Sequence, residues 1–134
     1  MSSRLDHEKL NVYQRSLRFV ARPAEHLEQI PHGLSAHGQI DRASTSIPLK
    51  IAEGNGRFTP ADRCRFFDTA RGSALECAAV LDVLIARKVL TEMEVEDGKA
   101  RLIEIVNMLV GLTRSNSETR LHEDRIPYRA SAQL

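Results

Sequence analysis

The residues most suited to ligand binding are basic side chains gathered around a glycine turn. The turn Gly54-Asn55-Gly56-Arg57 precedes a predicted helix, with Lys50 just before it and Arg63 and Arg65 shortly after it. A helix N-terminus favours anions, and a guanidinium group can hold a phosphate through two parallel hydrogen bonds. The pattern therefore indicates either a cradle for phosphate or the RNA backbone, or an interhelix turn flanked by solvated arginines. A glycine pair without a preceding strand gives only weak support to the cradle, so both interpretations stay open.

A second basic row lies in the first predicted helix. Arg15, Arg18 and Arg22 follow one another at steps of three and four, on the side opposite the predicted apolar seam. Such a row predicts contacts to a nucleic-acid backbone, but it is also typical of a solvated helix face. Glu25 and Glu28 reduce the positive charge of the row, which favours the solvated face.

No residue pattern predicts a catalytic, cofactor-binding or metal site. Glu53 stands at a helix end, where a buried carboxylate could act as a base, although an ion pair with Arg42 or Arg57 is the commoner role. The Glu-x-x-His pairs that build di-iron sites in helical bundles do not occur in the sequence. Cys64 and Cys77 are about 20 Å apart on one predicted helix, too far for a disulfide. We therefore expect a protein that is not an enzyme and binds no cofactor.

Length and composition predict one small helical domain. The 134 residues contain no Trp, two Tyr and four Phe, so aliphatic side chains must supply the core, as in a helical bundle. The formal net charge is +1, far from the strongly basic balance of a dedicated nucleic-acid binder. With no disulfide framework, no hydrophobic leader and no apolar run long enough for a membrane span, a cytoplasmic protein without membrane contact is expected.

Apolar residues at helical spacing predict an all-α fold, an antiparallel up-down-up-down four-helix bundle. The helices are expected at about residues 9–30, 34–53, 59–87 and 91–115 of a single domain spanning 1–134, with 118–134 as a mobile tail. The predicted core seams are Leu10, Tyr13, Leu17, Val20, Ala24 and Leu27; Ala36, Ile40, Ala43, Ile47 and Ile51; Phe67, Ala70, Ala74, Cys77, Leu81 and Leu84; and Val95, Gly98, Leu102, Ile105, Leu109 and Leu112.

Two features of the middle helices give further expectations. Pro48 lies inside the apolar stripe of the second helix, where a proline removes a donor and crowds the carbonyl four residues back. That helix is expected to stop with Gly54 in the left-handed conformation, and the next to begin at Thr59 as N-cap. The third helix is apolar on nearly all sides over 74–86, so it is either central or presents a second face to another subunit.

The segment around Pro48 resembles a known family signature. Ser46-Ile-Pro-Leu-Lys-Ile-Ala-Glu-Gly-Asn-Gly-Arg57 is similar to the S-I-P-x-N-I-A-E-G-x-G-R motif of the four-helix-bundle proteins encoded in intervening sequences of 23S ribosomal RNA genes. Gln39-Ile-Asp-Arg-Ala43, Phe66-Phe67 and Met108-Leu-Val-Gly-Leu112 resemble further family motifs in the same order. The signature residues of this chain are Ile47, Pro48, Ile51, Ala52, Glu53, Gly54, Gly56 and Arg57.

The resemblance implies a homo-oligomer, a ring of five subunits, in a family whose function is mostly not established. The related accessory variability proteins of diversity-generating retroelements bind RNA and partner a reverse transcriptase, so RNA or an RNA-handling protein is an implied partner here. Asp41 stands where the family usually has a basic residue, which weakens the RNA inference for that helix, and Lys50 replaces an Asn. The alternatives are a purely structural oligomer, or an enzyme with an intersubunit site near Glu53 and Arg57.

Overall fold

The computed structural model describes residues 5–124, and for residues 23–27 and 118–124 it describes the backbone alone. A 3-10 segment, Asp6–Lys9, leads into four helices: α1 (Asn11–Leu27), α2 (Ser35–Asn55), α3 (Pro60–Ala86) and α4 (Glu92–Asp124). Each helix packs against its neighbours in a ring, α1 with α2 and α4, and α3 with α2 and α4. The described residues contain no strand. The predicted all-α four-helix bundle is confirmed.

The helix ends differ from the predicted ones by one to nine residues. The first helix ends at Leu27 rather than near 30, and the second extends to Asn55 instead of 53. The fourth continues to Asp124, so the first part of the predicted tail is helical. Residues 125–134 of that tail lie outside the described residues. Polar composition had suggested an end near 115, but polar residues are ordinary on a helix with one apolar face.

Side-chain caps fix the starts of α3 and α4. The amide of Asp62 donates to the hydroxyl of Thr59 at 3.2 Å, and Pro60 occupies the first turn of α3. At α4 the amide of Glu94 donates to the Thr91 hydroxyl at 3.2 Å, and the amide of Thr91 donates to the Glu94 carboxylate at 2.8 Å. Each cap satisfies amide groups that have no partner within the helix. The predicted cap at Thr59 is confirmed.

The seams of α2, α3 and α4 are confirmed, because every predicted seam residue there is buried except Gly98 and Leu112, which are partly buried. The predicted seam of α1 is confirmed in part: Leu10 and Tyr13 pack against the core and Val20 is partly buried. The side chains of Ala24 and Leu27 lie outside the described residues. The prediction is wrong at Leu17. Leu17 is 40% exposed, whereas Val12, Ser16 and Phe19 face the core. The buried Ser16 hydroxyl donates to the Tyr13 carbonyl at 2.7 Å. Because this hydrogen bond satisfies the hydroxyl, a polar residue can lie on the apolar face of the helix.

The left-handed conformation expected at Gly54 is also wrong. Gly54 is helical and buried, and Gly56, with φ −84°, caps α2 instead. Within residues 5–124 no glycine has positive φ, and Lys88 after α3, with φ 61°, is the one non-glycine residue that does. The glycine at 54 is needed for space rather than for backbone freedom. An ideal Cβ there would lie 2.9 Å from both Phe66 Cβ and Phe67 Cε1.

Pro48 lies within α2 and is buried, and α2 continues through it. The three hydroxyls just before Pro48 each have a partner of their own. Those of Ser44 and Thr45 both donate to the Asp41 carbonyl, at 3.2 and 2.8 Å, and that of Ser46 pairs with Ser73 of α3 at 3.0 Å. These bonds belong to the helix's own turn and to the contact between α2 and α3.

α3 packs between two other helices but also keeps apolar side chains exposed on its outer face. It packs along α2 on one side and along α4 on the other, which accounts for much of its all-round apolar composition. Yet Leu75 remains 48% exposed and Val83 also lies open, and Ile103 of the adjacent α4 is 62% exposed. An ion pair between Lys99 and Asp82 holds these two helices together on the outside. The bundle therefore leaves an apolar outer surface on α3 and α4.

Candidate functional site

Three cations converge on one aromatic ring at the end of the bundle where α2 turns into α3. Lys50 Nζ lies 5.6 Å from the centre of the Phe66 ring, Arg57 Cζ 4.5 Å and Arg65 Cζ 4.7 Å. A cation within about 6 Å of an aromatic face is attracted by the ring quadrupole. We call Lys50, Arg57, Arg65 and Phe66 the cation cluster.

The cluster forms because Gly54 lets the last turn of α2 press directly against the first turns of α3. The missing side chain brings that turn close to Phe66 Cβ, and the ring then lies beneath the residues that leave α2. Lys50 comes from α2, Arg57 from the turn and Arg65 from α3. Residues from three successive elements therefore meet over one buried ring.

Two carboxylates only partly balance the cluster. Glu53 Oε1 lies 3.2 Å from Lys50 Nζ, and Glu53 Oε2 lies 3.9 Å from Arg57 Nη2. Asp62 Oδ1 lies 3.2 Å from Arg65 Nη2. Three cations face two anions, and all these side chains keep substantial solvent exposure, so the cluster has one excess positive charge at an open surface. Exposed ion pairs of this kind contribute about 0–1 kcal/mol each, and a phosphate can compete for their cations.

Glu53 is a partner of cations in this protomer, not a buried carboxylate. Its side chain is exposed and is held between Lys50 and Arg57. The pair with Arg57 is one of the two expected from the sequence, the pair with Lys50 was not predicted, and the enzyme alternative gains no support from either. Among the described residues, no group of three or more His, Cys, Asp and Glu side chains is arranged to hold a metal ion.

Arg63, predicted as a nucleic-acid contact, instead lies at the junction of α2, α3 and α4. Its Nη1 donates to the carbonyls of Asn55 and Arg57 at 2.8 and 3.2 Å, and its Nη2 to Asn55 Oδ1 at 3.2 Å. Its Nε donates to Asn116 Oδ1 of α4 at 3.0 Å. The guanidinium thus serves carbonyls at and just beyond the C-terminus of α2, where cations are favoured. The need for donors at a helix end is the signal that could have assigned this role.

Two arginines of the predicted row on α1 are in ion pairs with α4. Arg15 pairs with Glu104, and Arg22 Nε lies 2.6 Å from Asp97 Oδ2. The hydrogen bond from Arg101, together with the charges of Arg101 and Arg22, lowers the pKa of Asp97. Arg18 is exposed. The row on α1 stays a prediction, although two of its three cations help to join α1 to α4.

The signature residues surround the cation cluster. Ile47, Pro48, Ile51 and Gly54 are buried and place α2 on its neighbours, and Ala52 is partly buried. Glu53 and Arg57 are exposed and flank the ring, and Gly56 provides the turn. The residue that sequence reasoning did not single out is Phe58, which follows Arg57 and is fully exposed at 101%. The signal that could have found it is its position directly after Arg57, in a turn between two helices.

The fold defines an all-α four-helix-bundle protein with a cation-rich end. The chain belongs to the 23S rRNA-intervening sequence protein family, whose model matches residues 8–111, which confirms the resemblance noted in the sequence. It is similar to the crystal structure of a protein of unknown function from the S23 ribosomal protein family of Bacteroides thetaiotaomicron, at 25% identity and a TM-score of 0.71, covering 76% of this chain and 97% of that one. The comparison with curated proteins finds no match. No helix within residues 5–124 is long and apolar enough to cross a membrane.

Proposed function

We propose that this chain is a non-catalytic cytoplasmic scaffold that self-associates, as a ring of five subunits, and binds RNA through the cation cluster. The observation that carries the RNA part is the convergence of Lys50, Arg57 and Arg65 on Phe66. The aromatic ring of Phe66 restrains the three cations, so less side-chain entropy is lost when they bind a phosphate. The excess positive charge favours a polyanion over a neutral partner.

The self-association part rests on the exposed apolar surface of α3 and α4. Leu75, Val83 and Ile103 lie open to solvent in the protomer, and exposed apolar surface of this kind favours protein contacts. A second copy of the chain is the occupant that we propose, and the number five comes from the family resemblance noted above. An RNA-handling protein would then engage the assembled ring together with RNA.

The RNA proposal is tested by binding of a labelled single-stranded RNA at several salt concentrations. Each phosphate contact contributes about 0.7 to the slope of log K against log salt for single strands. Replacing Arg57 and Arg65 together by Gln should weaken binding and reduce that slope by about one to two contacts. Arg87→Gln is the matched control, because Arg87 is an exposed arginine at the opposite end of α3. Equal losses in both variants, or no binding by the unmodified protein, would contradict the proposal.

The assembly proposal is tested by light scattering on the unmodified chain and on Leu75→Asp with Ile103→Asp. We expect a pentamer that dissociates in the double variant while helix content is kept. Leu49→Asp is the control, because Leu49 is 56% exposed on α2, outside the proposed contact of α3 and α4. A monomer at micromolar concentration would contradict self-association. A pentamer that binds no RNA would favour the purely structural alternative.

A further inference from the structure

Phe58 is the most exposed large apolar side chain among the described residues, and the only aromatic one among the exposed large apolar residues there. Leaving a phenylalanine ring in water forgoes about 1.5–3 kcal/mol of burial free energy. Nothing in the protomer covers it, since its exposure is 101%. An aromatic side chain left this open at the edge of a cation cluster is suited to contact a ligand.

The backbone around Phe58 is held on both sides. The carbonyl of Arg57 accepts a hydrogen bond from Arg63 at 3.2 Å, and the side chain of Arg57 rests over the Phe66 ring. On the other side Thr59 caps α3. The ring of Phe58 therefore projects from an anchored turn, which lowers the entropy that a stacking contact would cost.

The two phenylalanines of this end have different surroundings. The Phe66 ring is buried beneath Lys50, Arg57 and Arg65, whereas Phe58 offers an uncovered ring to solvent. An open aromatic ring that follows a cation of the cluster directly in the chain matches the chemistry of a single-stranded nucleic acid, which presents unpaired bases next to phosphates. A duplex keeps its bases stacked inside and presents only phosphates and groove edges to such a surface.

We infer that Phe58 is a stacking platform for an unpaired base of single-stranded RNA, with the neighbouring phosphates held by Arg57 and Arg65. This inference rests on the proposed RNA binding and adds a strand preference to it. A subunit contact is the competing occupant of Phe58. The charged neighbours argue against it, because the centre of a subunit contact is depleted in charge, and the surface proposed for self-association lies on α3 and α4, at Leu75, Val83 and Ile103.

The test compares a 12-nucleotide single-stranded RNA with a duplex containing the same sequence. Stacking on one aromatic side chain contributes about 5- to 150-fold in affinity. Phe58→Ala should lose that factor for the single strand and leave duplex binding unchanged, and Phe58→Leu should behave like Phe58→Ala. Met93→Ala, which removes another exposed apolar side chain, should change neither affinity.

A second variant gives a direct signal of stacking. The chain contains two Tyr and no Trp, so Phe58→Trp introduces a single tryptophan at the proposed platform, which can be excited selectively over the tyrosines. Its fluorescence should be quenched by the single strand and not by the duplex, with affinity equal to or above that of the unmodified protein. An unquenched tryptophan would overturn the inference.

The failures of the two proposals can be told apart. If the unmodified protein binds neither RNA at low salt, the proposed function fails, and the platform with it. If it binds both RNAs equally and Phe58→Ala changes nothing, RNA binding stands and the platform is wrong. A fall in oligomer mass for Phe58→Ala would show a subunit contact and would also overturn the inference.

Discussion

Gly54 of α2 packs directly against Phe67 of α3. An ideal Cβ at position 54 would lie 2.9 Å from Phe67 Cε1 and 3.0 Å from its Cδ1, and 2.9 Å from Phe66 Cβ. These separations are shorter than real carbon contacts, and Phe66 Cβ cannot move without its helix. The closest approach of α2 to α3 therefore depends on a single missing side chain, and the cation cluster is built on that approach.

Gly54→Ala should destabilise the protein. Overpacking costs about 1–3 kcal/mol, which alanine's helix propensity offsets by about 1 kcal/mol, so a net loss of about 1 kcal/mol, and at most about 2 kcal/mol, is expected in denaturant unfolding. Gly98→Ala is the matched control, because its Cβ would lie 3.7 Å from Leu81 Cδ1 and 3.9 Å from Phe19 Cε1. These are ordinary contacts, so this variant should gain about 1 kcal/mol. Equal effects at both positions would refute the close-approach argument.

Arg63→Lys should destabilise the junction of the three helices. A lysine ammonium cannot reach Asn55 and Asn116 together as the guanidinium does, and lost bonds to a charged donor cost about 1.5–3 kcal/mol. Arg65→Lys, two residues later, changes a side chain with an exposed ion pair and should cost under about 0.5 kcal/mol. Urea unfolding of both variants measures the difference. Similar midpoints would mean that Arg63 does not hold the junction.

Periodicity predicted the helices and three of the four seams, because burial of one face imposes it. It failed at Leu17 of α1 because the core position belongs to the neighbouring Ser16, whose hydrogen bond to the Tyr13 carbonyl makes burial of its hydroxyl acceptable, whereas Leu17 is the more apolar residue. Gly54 was misassigned because a glycine near a helix end is consistent with either a left-handed cap or a close approach. The choice between them depends on how α3 packs against α2, and the residues around Gly54 do not show that packing.

The site shows the same limit. The sequence placed Lys50, Arg57, Arg63 and Arg65 near one turn, but it could not show which cations point over Phe66 and which one turns inward. Arg63 and Arg65 are two residues apart, so they lie on different sides of α3, and only Arg63 reaches Asn116. Side-chain direction, rather than proximity along the chain, separates the structural arginine from those proposed to contact the ligand.

Cys77 should make the protein less stable in alkali. Burial, and to a smaller extent the charge of Glu76, raises the pKa of its thiol from 9.0 to about 12. Above pH 9 the unfolded chain loses this proton and the folded chain keeps it, so stability that is present below pH 9 is lost as the pH rises toward 12. Between pH 8 and 10 the unmodified protein should lose about 1.4 kcal/mol more than Cys77→Ala.

The measurement is urea unfolding at both pH values, and the quantity compared is the change with pH, since Cys77→Ala also removes buried volume. Leu84→Ala is the control, because Leu84 is buried and carries no titratable group, and it should keep the pH dependence of the unmodified chain. A Cys77→Ala protein with that same pH dependence would show that the buried thiol does not titrate differently on unfolding.

Pro48→Ala tests whether the proline inside α2 directs the end of that helix. Alanine restores a backbone donor and has the highest helix propensity. If the proline were only tolerated, the Pro48→Ala variant should therefore be more stable than the unmodified protein. We expect instead that helix content is kept and that assembly is weakened. Pro48 is buried six residues before Gly54. A proline bend of about 20° acting over about 10 Å of helix displaces its end by about 3–4 Å.

A displacement of that size cannot be absorbed where Gly54 meets Phe66 and Phe67, because packed interiors do not yield by several ångströms without loss of contact. The start of α3 would shift with it, and so would the exposed surface at Leu75 through which copies are proposed to associate. Circular dichroism and size-exclusion chromatography with light scattering measure helix content and mass. Leu49→Ala, an exposed neighbour on α2, is the control. An unchanged oligomer with a raised melting temperature would mean that the bend has no role in assembly.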